Sequence, residues 1–486
     1  MFTSPTSEPQ SGFAFSRRSV LQSLASGFGY LAFAGLAHEA SAREAAGGMV
    51  TVGDAALAPR PTHFPPRAKR VIFLCMNGGP SHIDLFDPKP ELKPLADAQS
   101  GPGGPTLMPS PFKFSQHGQS GQWISELMPE LSRHADDLCI INSMQTDLPN
   151  HSQAFIQMHT GSFQFTRPSL GAWCLYGLGT ENSNLPGFIT INPPSDNGGS
   201  RNFGSAFLPA IYQGTKIGTN QIPGFYAAIL GVDSEPGPPL KNVESRRLPL
   251  PQQRAQLDLV RDLNQHRLTQ NPHHTAIEGA IESFELAFRM QGEIPELMDL
   301  SGESAAMLDQ YGIGADSPCD RFGRQCLMAR RLAEAGVRFI EITAPVGWDH
   351  HFRLQEELPK ACAATDRPVA ALLADLKQRG MLEDTLVIWA GEFGRTPYAQ
   401  SGTGRDHNSQ GYTLWMAGGG IRGGLQYGAT DEVGAKAVDR PVHLHDWHAT
   451  ILHLLGLDHK RLTFNHAGRD FRLTDVYGNV VEDLLG

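Results

Sequence analysis

Asp349 and His351 stand two residues apart, so in an extended segment their side chains point the same way. Glu392, His407, Asp84 and His82 add more carboxylates and imidazoles, each close to an apolar run. Carboxylate oxygen mixed with imidazole nitrogen is the donor set of hard or borderline divalent metals. The carboxylates lean towards calcium or magnesium and the histidines towards zinc or manganese, so the metal's identity stays open. Held at one point, such an ion would act as a Lewis acid and generate a nucleophile. Plainer roles stand beside this one. Asp84 and Asp87 suit turn caps around Pro88, and Arg395 is a ready ion-pair mate for Glu392. The histidines at 443, 445, 448, 453 and 459 surround a helix that Asp446 can cap, and they read as structural.

Short apolar runs must position these groups. Residues 70–76, 138–141, 187–191, 337–342, 386–389 and 412–416 read as strands, several of them closed by glycines. Helical patterns occupy 152–158, 170–178, 252–268, 275–291 and 320–335. A further helix over 354–379 is expected to break near Pro368, and Asp446 is expected to cap one over 447–455. Helix then strand, repeated, predicts a right-handed parallel α/β sheet. Ligands bind at the C-terminal edge of such sheets, and Glu392 emerges there between Gly391 and Gly394. Residues 192–310, loop-rich at first and helical later, are predicted to be an insertion or lid.

Ser16-Arg17-Arg18-Ser19-Val20-Leu21, a weakly apolar run over 24–37 and Ala40-Ser41-Ala42 read as a twin-arginine signal over 1–42. The apolar run is shorter than the roughly 20 residues a membrane-spanning helix needs. Delivery by the twin-arginine machinery to the periplasm or beyond is therefore expected, with no membrane span after cleavage. Residues 43–66 form an extended lead-in and 67–486 the domain. A formal charge of −10 argues against nucleic acid or an anionic membrane as partner. Six cysteines without CxxC spacing predict neither a zinc finger nor a disulfide framework.

Six segments carry a resemblance: NGGPSHIDLFDPKPEL from Asn77, HTGSFQFTRPSLGAWCLYGLG from His159, GWDHH from Gly347, DTLVIWAGEFGRTP from Asp384, GRDHN from Gly404 and AGGGIRGG from Ala417. They resemble an exported bacterial family, domain of unknown function 1501, within the alkaline phosphatase/sulfatase-like superfamily. The resemblance implies an alkaline phosphatase-like three-layer α/β/α sandwich with a mostly parallel central sheet. It places Glu392 at a metal-binding Asp position, Phe393 at its His, and Asn77 at an Asp position after the first strand. It also puts His407 near the superfamily's late basic residue. The superfamily nucleophile position falls on His151 with Ser152 adjacent, although the accompanying Pro and Arg are missing. Either side chain can attack if a metal or base activates it, and Asn150 or Ser152 as a plain helix cap is the alternative. Arg395 or Arg405 would steady the ester's oxyanion.

Two functions follow as expectations. The first is a secreted, metal-dependent hydrolase of sulfate or phosphate esters, on a small molecule or polysaccharide. The second is a non-catalytic exported binding or assembly protein that retains the fold.

Overall fold

Strands of this chain are buried on both faces, which demands helices or loops above and below them. The computed structural model describes residues 57–98, 106–218, 248–270 and 275–486. The signal over 1–42 and most of the lead-in lie outside the described residues. The central sheet contains β1 (Arg70–Cys75), β2 (Leu138–Gln145), β3 (Phe188–Ile191), β4 (Thr215–Ile217), β5 (Phe339–Thr343) and β6 (Thr385–Ala390). After a hairpin of β7 (Gly394–Gln400) and β8 (Gly404–Asn408), it continues with β9 (Tyr412–Ala417), β10 (Leu425–Tyr427) and β11 (Val442–His443). The sheet order is β10-β2-β9-β6-β1-β5-β3-β4, with β11 also paired to β2.

The register pairs Phe73 with Glu341 and Ile388, and Leu74 with Ile342 and Trp389, so each set shares a face. Helix α1 (His151–Thr160), α2 (Leu170–Leu178) and a C-terminal helix (Leu444–Leu454) cover the Phe73 face. His159 of α1 meets Glu341, Gly171 of α2 abuts Phe188, and Trp447 packs edge-on to Phe73. On the other face Trp389 meets Phe86 and Trp348 edge-on and stacks on Trp415. The result is a mixed α/β molecule with a mostly parallel central sheet.

Three expectations needed revision. β9 runs antiparallel to both β6 and β2, because a short hairpin rather than a crossover helix links β6 to β9. The helix Leu354–Gln378 runs unbroken through Pro359 and Pro368. The C-terminal helix begins at Leu444 with His443 as its cap, and Asp446 closes a capping box from inside the first turn. The 192–310 stretch also contributes to the sheet, since β4 pairs parallel with β3. Long helices Leu250–Gln270 and Thr275–Met298 follow. No helix among the described residues is long and apolar enough to cross a membrane. All six cysteines are buried and free.

Candidate metal centre

Four side chains from three separate segments meet at the C-terminal edge of the sheet. His151 opens α1, Asp349 and His351 follow β5, and His407 lies on β8. One potential ligand atom from each lies within 4.8 Å of the others. The centre of the group is Asp349 Oδ1, with Nε2 of His351 at 2.9 Å, of His151 at 3.2 Å and of His407 at 3.5 Å. The Nε2 atoms of His151 and His407 are buried and hydrogen-bonded to nothing.

The far side of each ring explains this aim. His151 Nδ1 donates to Glu392 Oε1 at 2.6 Å, His351 Nδ1 to the side-chain oxygen of Gln400, and His407 Nδ1 to the Pro149 carbonyl at 2.9 Å. A proton held at Nδ1 leaves the Nε2 lone pair facing inward, as in metal sites whose imidazoles are oriented from behind. Three such lone pairs around one carboxylate oxygen repel unless a cation or a proton lies between them. The residues therefore fit a divalent ion held by His151, His351, His407 and Asp349. Three imidazoles and one carboxylate favour zinc or a similar transition metal over calcium or magnesium.

Local backbone chemistry builds this arrangement. Asn150 caps α1 by accepting from the Gln153 N–H, which sets His151 at the first helical position. A bulge between Arg405 and His407 interrupts the β7–β8 ladder. Residues two apart share one side of a regular strand, and the bulge lets these two serve different partners. Phe393 walls the centre, its ring 4.8 Å from that of His151 and 4.6 Å from that of His407. Burial opposes charge on His151, yet the Asp349 and Glu392 carboxylates that face its two nitrogens carry its pKa up to about 9, so a second proton occupies Nε2 wherever no cation does. Burial likewise opposes charge on Asp349, but His151, His407 and Arg395 hold its carboxyl far below the usual range.

Other expected site residues have different partners. Asp84 is not in the cluster. Both its oxygens take the Arg405 guanidinium, at 2.7 and 3.1 Å, and neither partner is exposed. Arg405 is thereby committed inward and cannot steady an ester oxyanion. Arg395 is committed too, donating to the carbonyls of Gly78, Gly79 and Arg405 and, at 2.5 Å, to Asp349 Oδ1. His82 is buried with Nε2 at 3.0 Å from the Gly434 carbonyl. Glu392 stands behind His151 and also faces the Gly78 N–H at 3.1 Å, so it buttresses a candidate ligand. Ser152 donates to Asn197 at 3.2 Å. His151, expected with Ser152 as the nucleophile pair, lies in the candidate ligand group. Asn77 accepts from Asn197 outside the cluster.

Gln400 and the Pro149 carbonyl were not anticipated, since an amide or a backbone oxygen leaves no signature in sequence. The buried His159–Glu341 pair, 3.2 Å apart, was also missed. Its signal was a lone glutamate inside the apolar strand FIEIT.

A family model described as protein of unknown function (DUF1501) matches residues 68–485. The chain belongs to that family. No curated protein matches it. Among solved structures, this family member is similar to the PsFucS1 sulfatase from Pseudoalteromonas sp. at 14% identity and TM-score 0.33, covering 80% of this chain and 68% of that one. Alkaline phosphatase from the Antarctic bacterium TAB5 is similar at 9% identity and TM-score 0.29, covering 73% of this chain and 92% of that one. A phosphonate monoester hydrolase from Silicibacter pomeroyi is similar at 11% identity and TM-score 0.31, covering 80% and 73%. Likeness at this level leaves the chemistry to be argued from the site itself.

Proposed function

We propose that this is an exported, metal-dependent hydrolase of sulfate or phosphate esters, its metal held by His151, His351, His407 and Asp349. One observation carries the reading: three Nε2 atoms converge on one carboxylate oxygen while each Nδ1 is pinned to its own acceptor. A divalent ion bound there supplies a Lewis acid to an ester oxygen. The chain's residues do the rest. Glu392, Gln400 and the Pro149 carbonyl aim the rings, Arg395 holds Asp349, and Phe393 keeps water from one side of the site.

A non-catalytic binding or assembly protein that retains the fold is the second reading. It is favoured by the inward commitment of Arg395 and Arg405 and by the Ser152 hydroxyl donating to Asn197. Metal analysis with ester assays separates the two. The hydrolase reading expects near-stoichiometric zinc or a similar ion, lost in His351→Ala, and turnover of an aryl sulfate or aryl phosphate that falls with it. Metal without turnover of either ester supports the second reading. Folded, metal-free protein that turns over neither ester also supports the second reading and defeats the first.

A further inference from the structure

A second polar feature adjoins the 147–151 segment through Asp147. Asp147, His443, Asp446, Lys460, Arg472 and Tyr477 help to line a cavity of about 640 Å³. That falls within the roughly 300–1,000 Å³ of small-ligand pockets. The cavity wall and the metal centre share this segment, since Pro149, two residues after Asp147, holds His407.

The cavity's carboxylates are spent within its wall. Asp147 accepts from His443 Nε2 at 3.1 Å and from the Gln157 amide, and Asp446 accepts from the backbone N–H of Asn479 at 2.7 Å and of His443 at 3.2 Å. Its cations are not spent. Among the described residues Lys460 has no side-chain partner, and Arg472 gives only Nε, to the Asp475 carbonyl. Beside them Tyr477 is 62% exposed, its ring stacked 5.2 Å from that of buried His445.

An exposed aromatic face beside unpaired cations, on a chain of net charge −10, calls for a ligand with both an apolar face and an anionic group. We propose that this cleft docks an anionic saccharide, with a ring face on Tyr477 and a sulfate or carboxylate on Lys460 and Arg472. The proposal names a polymer for the ester-hydrolase reading and rests on that reading for the sugar's fate, while binding is measured on its own.

The test is affinity electrophoresis of the full-length protein through gels holding dextran sulfate, polygalacturonate or neutral dextran. Retardation by dextran sulfate identifies a sulfate ligand and retardation by polygalacturonate a carboxylate, while dextran should have no effect. Tyr477→Ala and Lys460→Ala should each weaken binding at least about tenfold. Lys93→Ala, at an exposed lysine elsewhere, should not. His351→Ala should bind as the parent does, so failure of the hydrolase reading leaves this result standing. Lack of retardation by either polyanion overturns the proposal. So does an undiminished affinity in Tyr477→Ala, or an equal loss in Lys93→Ala, since either would mean charge attraction alone.

Discussion

Glu392 acts one bond behind the candidate ligands. Its Oε1 takes the His151 Nδ1 proton at 2.6 Å, fixing the tautomer that leaves Nε2 free. Glu392→Gln keeps an acceptor there, whereas Glu392→Ala removes it. Zinc affinity, measured by chelator competition, should fall about 10–100-fold in Glu392→Ala and less in Glu392→Gln. An unchanged affinity in the alanine variant would remove Glu392 from the centre. At this scale the sequence was legible where spacing alone sufficed: Asp349 and His351, two apart, bring Oδ1 and Nε2 to 2.9 Å of each other. His151 became visible only through family resemblance, because nothing local distinguishes it from a helix-starting residue. Asp84 was illegible for another reason. Whether a carboxylate meets a metal or an arginine depends on a partner 321 residues away, and Arg405 decided it. Removing one member of such a buried pair commonly costs about 3–5 kcal/mol, so Asp84 supports the fold of the edge rather than its chemistry.

The loop leaving β1 sets how near the other loops can come. Gly78 has φ +120, and a Cβ there would lie 2.7 Å from the Asp349 backbone nitrogen and 2.8 Å from that of Trp348. Neither is a flexible side-chain end, so the 347–351 segment would have to move. Gly78→Ala should therefore lower the melting temperature, with on the order of 1–3 kcal/mol from backbone strain alone. It should also weaken metal binding, by displacing Asp349 and His351. Retained affinity in a folded variant would show that these loops tolerate separation. Elements were legible where apolar runs were long, as in β1 and β6, which are buried on both faces. The β7–β8 hairpin was not, since its polar sequence resembles a loop and its pairing depends on local geometry. Pro368 misled for a reason of magnitude. A proline inside a helix costs about 3 kcal/mol, but Val369, Leu372, Leu373 and Leu376 are buried just beyond it, at roughly 1.5–3 kcal/mol each.

The whole molecule is tied together across its sheet, and its stability should register acid at groups far from the metal centre. Backbone bonds join Arg60 to Leu178, His63 to Gly456 and Arg67 to Leu454, fastening the lead-in and the start of the domain at the ends of two of the covering helices. His448, in the last of those helices, donates Nε2 to the Met158 carbonyl of α1 at 2.7 Å. Its complete burial depresses its pKa to about 3. An unfolded histidine titrates near 6.5, so the folded state favours the neutral ring. That contribution is complete above pH 6.5 and is lost as the pH falls from 6.5 towards 3. At pH 5 the loss is about 2 kcal/mol, from roughly 1.36 kcal/mol per unit over the 1.5 units below 6.5. His448→Gln keeps a donor for Met158 without a titrating group. Urea unfolding should show the variant less stable than the parent at pH 7.5, with the gap narrowing by about 2 kcal/mol at pH 5. A gap that stays constant between the two pH values would mean that His448 titrates alike in the folded and unfolded chains, and that burial there does not exclude its charge.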